Sequence, residues 1–197
     1  DSISNDDIKV RLINFQGALR SQATADAITL SDADGIWLRL DGLTFQWNRS
    51  ALLSGRIDVE KLSADRIELI RLPATSTQST AVAAQATPFS LPDLPVSIDI
   101  EEISAAEIVL TEALLGEPIT AAFNGAVSLE EGVGSAELLL ERIDAKTGRF
   151  DIDVAYENTT RQLALFVDVQ EGQNGIAARM LNLPDRPAVR LDIAGDA

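Results

Sequence analysis

The chain contains neither cysteine nor histidine. Disulfides, thiolate nucleophiles and Cys/His zinc sites are therefore excluded. Without histidine the commonest general base is missing, so Ser-His-Asp and Cys-His systems are ruled out and only carboxylate or lysine chemistry remains. A cysteine-free chain suits an oxidising compartment. Basic residues are scarce, with 16 Lys and Arg against 31 Asp and Glu, a net charge of −15. Bulk electrostatics of that sign disfavour nucleic acid and anionic membrane surfaces as partners. The one methionine, Met180, is internal, and the expectation is a processed or excised piece of a longer protein. No apolar run is fit to cross a membrane as a helix. The longest charge-free stretch, 72–92, reads LPATSTQSTAVAAQATPFSLP; its prolines and hydroxyls make a linker the better reading.

Apolar residues are plentiful, at 46%, which is enough for an ordered domain. Their spacing is that of strands. In DADGIWLRLDGLTFQW (32–47), Leu38, Leu40, Leu43, Phe45 and Trp47 recur at every second residue, with a phase slip at Asp41-Gly42. Ile8, Val10 and Leu12 alternate, as do Ile28 and Leu30. Asp32-Ala33-Asp34-Gly35 reads as a turn; its paired aspartates lack the further oxygen ligands of a calcium loop. NRSALLSG (48–55) is the clearest helical piece, with Asn48 as cap, Gly55 as left-handed terminator, and Leu52 and Leu53 as expected anchors to the sheet.

An internal repeat is the strongest signal. IDVEKLSADRIELIRL from Ile57 and IDIEEISAAEIVLTEA from Ile98 share seven of sixteen positions without a gap, against a chance expectation on the order of one. Such a unit suits an elongated, stacked β structure. Lys61, Ser63 and Asp65 interrupt the alternation, so a turn, bend or bulge is expected near KLSAD and EISAA. Beyond the repeat, alternating runs around Phe123, Leu138, Ile152 and Leu165 are joined by polar turns. The expectation is a mainly β, antiparallel architecture with a β segment over 1–73, a linker-like insertion over 74–95 and further β structure continuing the sheet over 96–197.

No constellation carries chemistry. Glu101-Glu102, Glu130-Glu131 and Asp151/Asp153 are carboxylate pairs, but they read as solvent-facing or turn residues rather than convergent acids and bases. Gly132-Val133-Gly134 lacks the rest of a phosphate loop. No catalytic residue, metal ligand or cofactor site is expected, and the chain reads as a non-enzyme. An apolar strand face with few helices to cover it has two solutions: a closed β-sandwich, in which two sheets cover each other, or one curved sheet whose concave face holds something apolar.

The segment 28–73, ITLSDADGIWLRLDGLTFQWNRSALLSGRIDVEKLSADRIELIRLP, resembles the N-terminal periplasmic region of the TamB family. The likeness rests on the DADG-W-L turn and strand, the W-R-ALL-GR step and the L-SA-RIE-RLP strand. The runs 88–129 and 182–195 resemble that family as well. The resemblance implies an elongated, open, taco-like β-groove with an apolar interior, part of an AsmA-like protein held in the inner membrane of a Gram-negative bacterium by an N-terminal helix outside this sequence. It implies phospholipid transport through the periplasm and support of outer-membrane protein assembly with a TamA-like outer-membrane barrel, docked through parts of the protein absent here. Phospholipid acyl chains would lie against Ile57, Val59, Ile67, Leu69, Ile98, Ile100, Ile108 and Leu110, and the lining would extend through Ile119, Ala121, Phe123, Leu138, Leu140, Ile152, Val154, Leu165 and Val167. Leu38, Leu40, Phe45 and Trp47 could join it or pack on the Leu52-Leu53 turn. Two further readings stand beside this one: a chaperone-like scaffold offering sheet edges to outer-membrane strands, and a free-standing β-sandwich binding module.

Overall fold

The computed structural model describes residues 2–5, 8–17, 21–73, 91, 94 and 96–196. Eleven strands lie in one sheet in chain order. They are β1 (Ser2–Asn5), β2 (Ile8–Ile13), β3 (Gln22–Asp32), β4 (Gly35–Trp47), β5 (Arg56–Leu69), β6 (Ser97–Leu110), β7 (Ile119–Glu130), β8 (Val133–Arg142), β9 (Gly148–Glu157), β10 (Gln162–Glu171) and β11 (Val189–Asp196). The helices among the described residues are a 3₁₀ helix over Arg49–Ser54, α1 (Glu112–Leu115) and α2 (Ile176–Met180). β1 and β11 are the two ends of the sheet and do not meet, so the sheet is open. Among the described residues no second sheet covers it, which removes the closed sandwich.

One correction concerns strand direction. All neighbours are antiparallel except β5 and β6, which are parallel, so the sheet is mixed. The pair joins the two copies of the internal repeat at zero offset: Ile57 faces Ile98, Asp58 faces Asp99, Ala64 faces Ala105, Ile67 faces Ile108 and Leu69 faces Leu110. Two copies running the same way can align like with like only in a parallel ladder, and a parallel ladder needs a long crossover. The connection between Leu69 and Ser97 provides it. Most of the linker expected over 74–95 lies outside the described residues.

Neither KLSAD nor EISAA turns the chain. Both lie inside unbroken strands of 14 residues. The interruption is absorbed as bulges: the β6–β7 register shifts between Ile100 and Ile103 and again between Ala105 and Ile108, against a β7 of 12 residues. Each bulge adds one residue to the longer strand and reverses the facing of the residues beyond it. Ile98 and Ile100, then Ile103 and Ala105, then Ile108 and Leu110 therefore share one face. In-step pairing gives β5 the same sequence of faces: Ile57, Val59, Leu62, Ala64, Ile67 and Leu69. Bulges bend the strands that carry them and raise their twist, a local source of curvature for a wide sheet.

The slip at Asp41-Gly42 is made differently: a left-handed glycine carries it, and the pairing with β3 and β5 stays in step through it. Gly42 takes φ +63°, and a Cβ there would lie 2.0 Å from the Asp65 carboxylate. It lets β4 pass from Leu40 to Leu43 without turning the apolar side outward. Asn48 caps the 3₁₀ helix by accepting from the Ser50 amide at 3.2 Å, and Gly55 closes it at φ +73°. The anchor differs from expectation. Leu53 is 93% exposed and Leu52 47%, while Ala51 is buried; the short helix presents its smallest apolar residue to the sheet. In the Asp32–Gly35 turn the Asp32 carboxylate accepts from the Asp34 amide at 2.9 Å and pairs with Arg71. Its oxygens thus already have partners.

Candidate functional site

The apolar face of the sheet is the feature to which sequence, register and burial all lead. Residues directly opposite each other on paired strands share a face, so the register can be followed from strand to strand. Leu69 faces Leu110, and Leu110 faces Ile119. Ile67 faces Ile108, which faces Ala121. Ala105 faces Phe123, which faces Leu140. Val59 faces Ile100, which faces Val127, and Ile57 faces Ile98, which faces Leu129. Leu138 faces Ile152, which faces Val167, while Val154 faces Leu165. Every residue expected in the lining falls on this one face.

The face is wider than the sequence suggested. Leu62, Ala64, Ile103 and Ala105 belong to it, hidden because the bulges invert the simple alternation that would have exposed them. Leu38, Leu40, Phe45 and Trp47 join it opposite Leu69, Ile67, Leu62 and Val59. The Phe45 and Trp47 rings are tilted at 32° with centroids 5.8 Å apart, an aromatic pair along one strand face. The face also reaches the flanking strands through Val10 and Leu30, Leu12 and Ile28.

Burial shows how little covers it. The buried apolar residues are mostly alanines, and among the described residues Ile119 is the large side chain that is fully enclosed. Most of the lining, including Ile100, Phe123, Leu138, Ile152 and Val167, is half-buried. Such residues are shielded by neighbours within the sheet but not from above. Two hollows mark the face. One, of about 250 Å³, lies between Phe15, Ala25, Ile28, Phe45, Trp47 and Leu62. The other, of about 490 Å³, is lined by Leu91, Val127, Leu129, Ala136, Val154, Tyr156 and Leu163. The second is within the size range of small-molecule sites, roughly 300–1,000 Å³. Leu91 hangs over its rim: the Asn158 side chain accepts from the Leu91 amide at 2.8 Å and donates to its carbonyl at 3.0 Å.

At the opposite strand ends the face terminates in charge. Arg142 follows Leu140 on the same side, opposite Ala121, and its side chain is 1% exposed. Its stem crosses Gly148, where a Cβ would sit 2.6 Å from the Arg142 Cδ. Arg142 pairs with Asp144 at 2.7 Å, while Glu117 receives Lys146 at 2.6 Å and Arg179 at 2.7 Å. The Lys146 hydrogen bond holds the Glu117 carboxyl below its ordinary value. Burial pushes Asp144 up, but hydrogen bonds from Arg142 and from the Lys146 and Thr120 amides outweigh it and hold that carboxyl low. Nearby, the buried Glu171 accepts from the Ile176 and Ala177 amides at 2.8 and 2.6 Å, fastening the start of α2. The cluster ties α1 and α2 to the sheet and closes one lip of the apolar face with fixed ion pairs. The carboxylates of Glu101, Glu102, Asp151 and Asp153 lie on the other face, where Lys61 meets Glu102 at 2.8 Å and Arg149 meets Asp151 at 2.7 Å.

No family model, curated protein or solved structure matches the chain. Among the described residues no group of acidic side chains is arranged to hold a metal ion, and no helix is long and apolar enough to cross a membrane.

Proposed function

We propose that this chain is a stretch of apolar β-groove that holds phospholipid acyl chains, as the resemblance to the TamB family implies. The observation that supports it is the apolar face itself: aliphatic and aromatic side chains in register from β2 to β11 with no second sheet upon them among the described residues. Each methylene removed from water contributes about 0.8 kcal/mol, so a twelve-carbon length of acyl chain gains about 10 kcal/mol before ordering costs. A surface of Ile, Val, Leu and Ala grips through area rather than direction, which suits cargo that must slide. Charge confined to the lip and the outer face leaves the path free of headgroup anchors. On this reading the segment works in the periplasm of a Gram-negative bacterium, between an inner-membrane anchor and a TamA-like barrel contacted by other parts of the parent protein.

The test is lipid capture. The chain, expressed in a diderm bacterial periplasm with a photo-reactive residue at Ile100, Phe123 or Val154, should crosslink phospholipid. The same probe at Glu137 or Ala155, on the outer face, should not. Native mass spectrometry should show co-purified phospholipid. Equal labelling of both faces, or none on either, would end the proposal.

A further inference from the structure

One row of the apolar face has a gap. Across the strands it runs Ile98, Leu129, Gly134, Tyr156 and Leu163, each opposite the next. Gly134 brings no side chain to this row, and its backbone does not require glycine, since its φ is not positive. A glycine inside a strand often marks the close approach of another group. Here that group is Leu91, from the connection between β5 and β6. A Cβ on Gly134 would lie 2.8 Å from the Leu91 Cδ1, so the end of the Leu91 side chain stands where the missing one would be. A second glycine prepares the fastening. Gly132, in the turn between β7 and β8, has φ +78°, and a Cβ there would lie 2.9 Å from the Asn158 Nδ2. The Asn158 amide donates to the Gly132 carbonyl at 2.9 Å. So placed, the Asn158 carboxamide spends both its ends on the main chain of Leu91.

These bonds hold the backbone of Leu91 and leave its side chain to the hollow beside it. With Leu91 in place that hollow still measures about 490 Å³, and no charged side chain lines it. Leu91 therefore walls the space and does not fill it. Elsewhere on the open sheet an acyl chain is shielded from one side. Here it meets a second apolar side, and hold grows with the apolar area removed from water. The absence of charge from the lining excludes a headgroup and suits a hydrocarbon chain. We infer that Leu91, positioned by Asn158, converts this end of the apolar face into a walled seat for a single acyl chain; the inference rests on the acyl-chain reading of the face. Asn158 is a positioning residue, since it touches the backbone of Leu91 and acts on the ligand only through it.

The test titrates the purified chain with a diazirine-bearing palmitate and maps the labelled peptides after illumination. In the native chain, label should fall on the hollow, between Val154 and Leu163, and separately around Phe123. Leu91→Ala removes the wall, Asn158→Ala unfastens it, and Gly134→Ala drives Leu91 from its gap. Each should raise the probe concentration needed to label 154–163 by about fivefold or more, with labelling around Phe123 unchanged. Leu91→Met keeps the apolar reach and should label as the native chain does. Asn158→Ala/Leu91→Ala should lose no more than either change alone, because both remove the same wall. Leu91→Ala and Asn158→Ala act at the rim and should stay folded in thermal melts, so the comparison holds even where Gly134→Ala does not fold. Unchanged labelling of 154–163 in both rim variants, or labelling that rises once Leu91 is lost, would overturn the inference and leave the groove standing. No label anywhere on the apolar face of the native chain would remove the acyl-chain reading, and the inference with it.

Discussion

At Gly42 a single residue keeps a whole strand facing the right way. Its φ of +63° is left-handed, a region that costs an L-residue about 1–2 kcal/mol, and the Asp65 side chain occupies the place of a Cβ. Gly42→Ala should destabilise the chain by about 2–3 kcal/mol in urea unfolding, the sum of backbone strain and displaced Asp65. Gly55 supplies the comparison, since it has φ +73° with nothing within 4 Å of its Cβ position. Gly55→Ala should therefore cost about 1 kcal/mol, the backbone component alone. Equal losses would show that Asp65 moves away freely. The slip at Asp41-Gly42 was legible in the sequence because glycine marks it. The slips in β5 and β6 were legible as an interruption, since Lys61, Ser63 and Asp65 break the alternation, but that the strands run on unbroken and which residue is the extra one only a partner strand shows.

The elements least visible in the sequence are α1 and α2. Four or five residues complete barely one helical turn, too little for a 3.6-residue period to emerge, and their stability comes from the charged corner rather than from propensity. Glu171→Ala would leave the Ile176 and Ala177 amides without their acceptor. The expected loss is about 1–3 kcal/mol, seen as faster hydrogen exchange over 176–180 with the centre of β10 unchanged; unaltered exchange would show that α2 is held by packing alone. The same corner should be sensitive to acid. Glu117 and Asp144 both titrate below their ordinary values of 4.5 and 3.8 when folded. In that window the unfolded chain binds more protons, so stability rises with pH. The contribution is fully present above the ordinary values and is lost as pH falls through the lowered ones. Melts taken from about pH 6 down to about pH 3 should fall more steeply for the native chain than for Glu117→Gln, which has no proton to gain there. Parallel slopes would remove Glu117 from the account.

The sheet as a whole shows what one-dimensional reading can and cannot reach. Apolar alternation located the strands, and the repeat revealed that 57–69 and 98–110 are equivalent, but direction was lost: a repeat states likeness, not whether its copies lie parallel or antiparallel. Nor does alternation say whether an apolar face is covered. A mutation can ask that directly. Phe123 and Ile100 are half-buried on the apolar face, opposite Leu140 and Val127. In a closed sandwich Phe123→Asp or Ile100→Asp would bury an unpaired carboxylate at a cost of several kcal/mol, enough to unfold a typical domain. On an open face the carboxylate can reach water from above, leaving chiefly the lost contact area of the larger side chain, about 1–3 kcal/mol. The variants should therefore stay folded with lowered melting temperatures, while phospholipid crosslinking at the neighbouring Val154 position falls because a charge now stands on the acyl path. Complete unfolding of both variants at neutral pH would mean that something covers the face. Folded variants with undiminished crosslinking would mean that lipid takes another route.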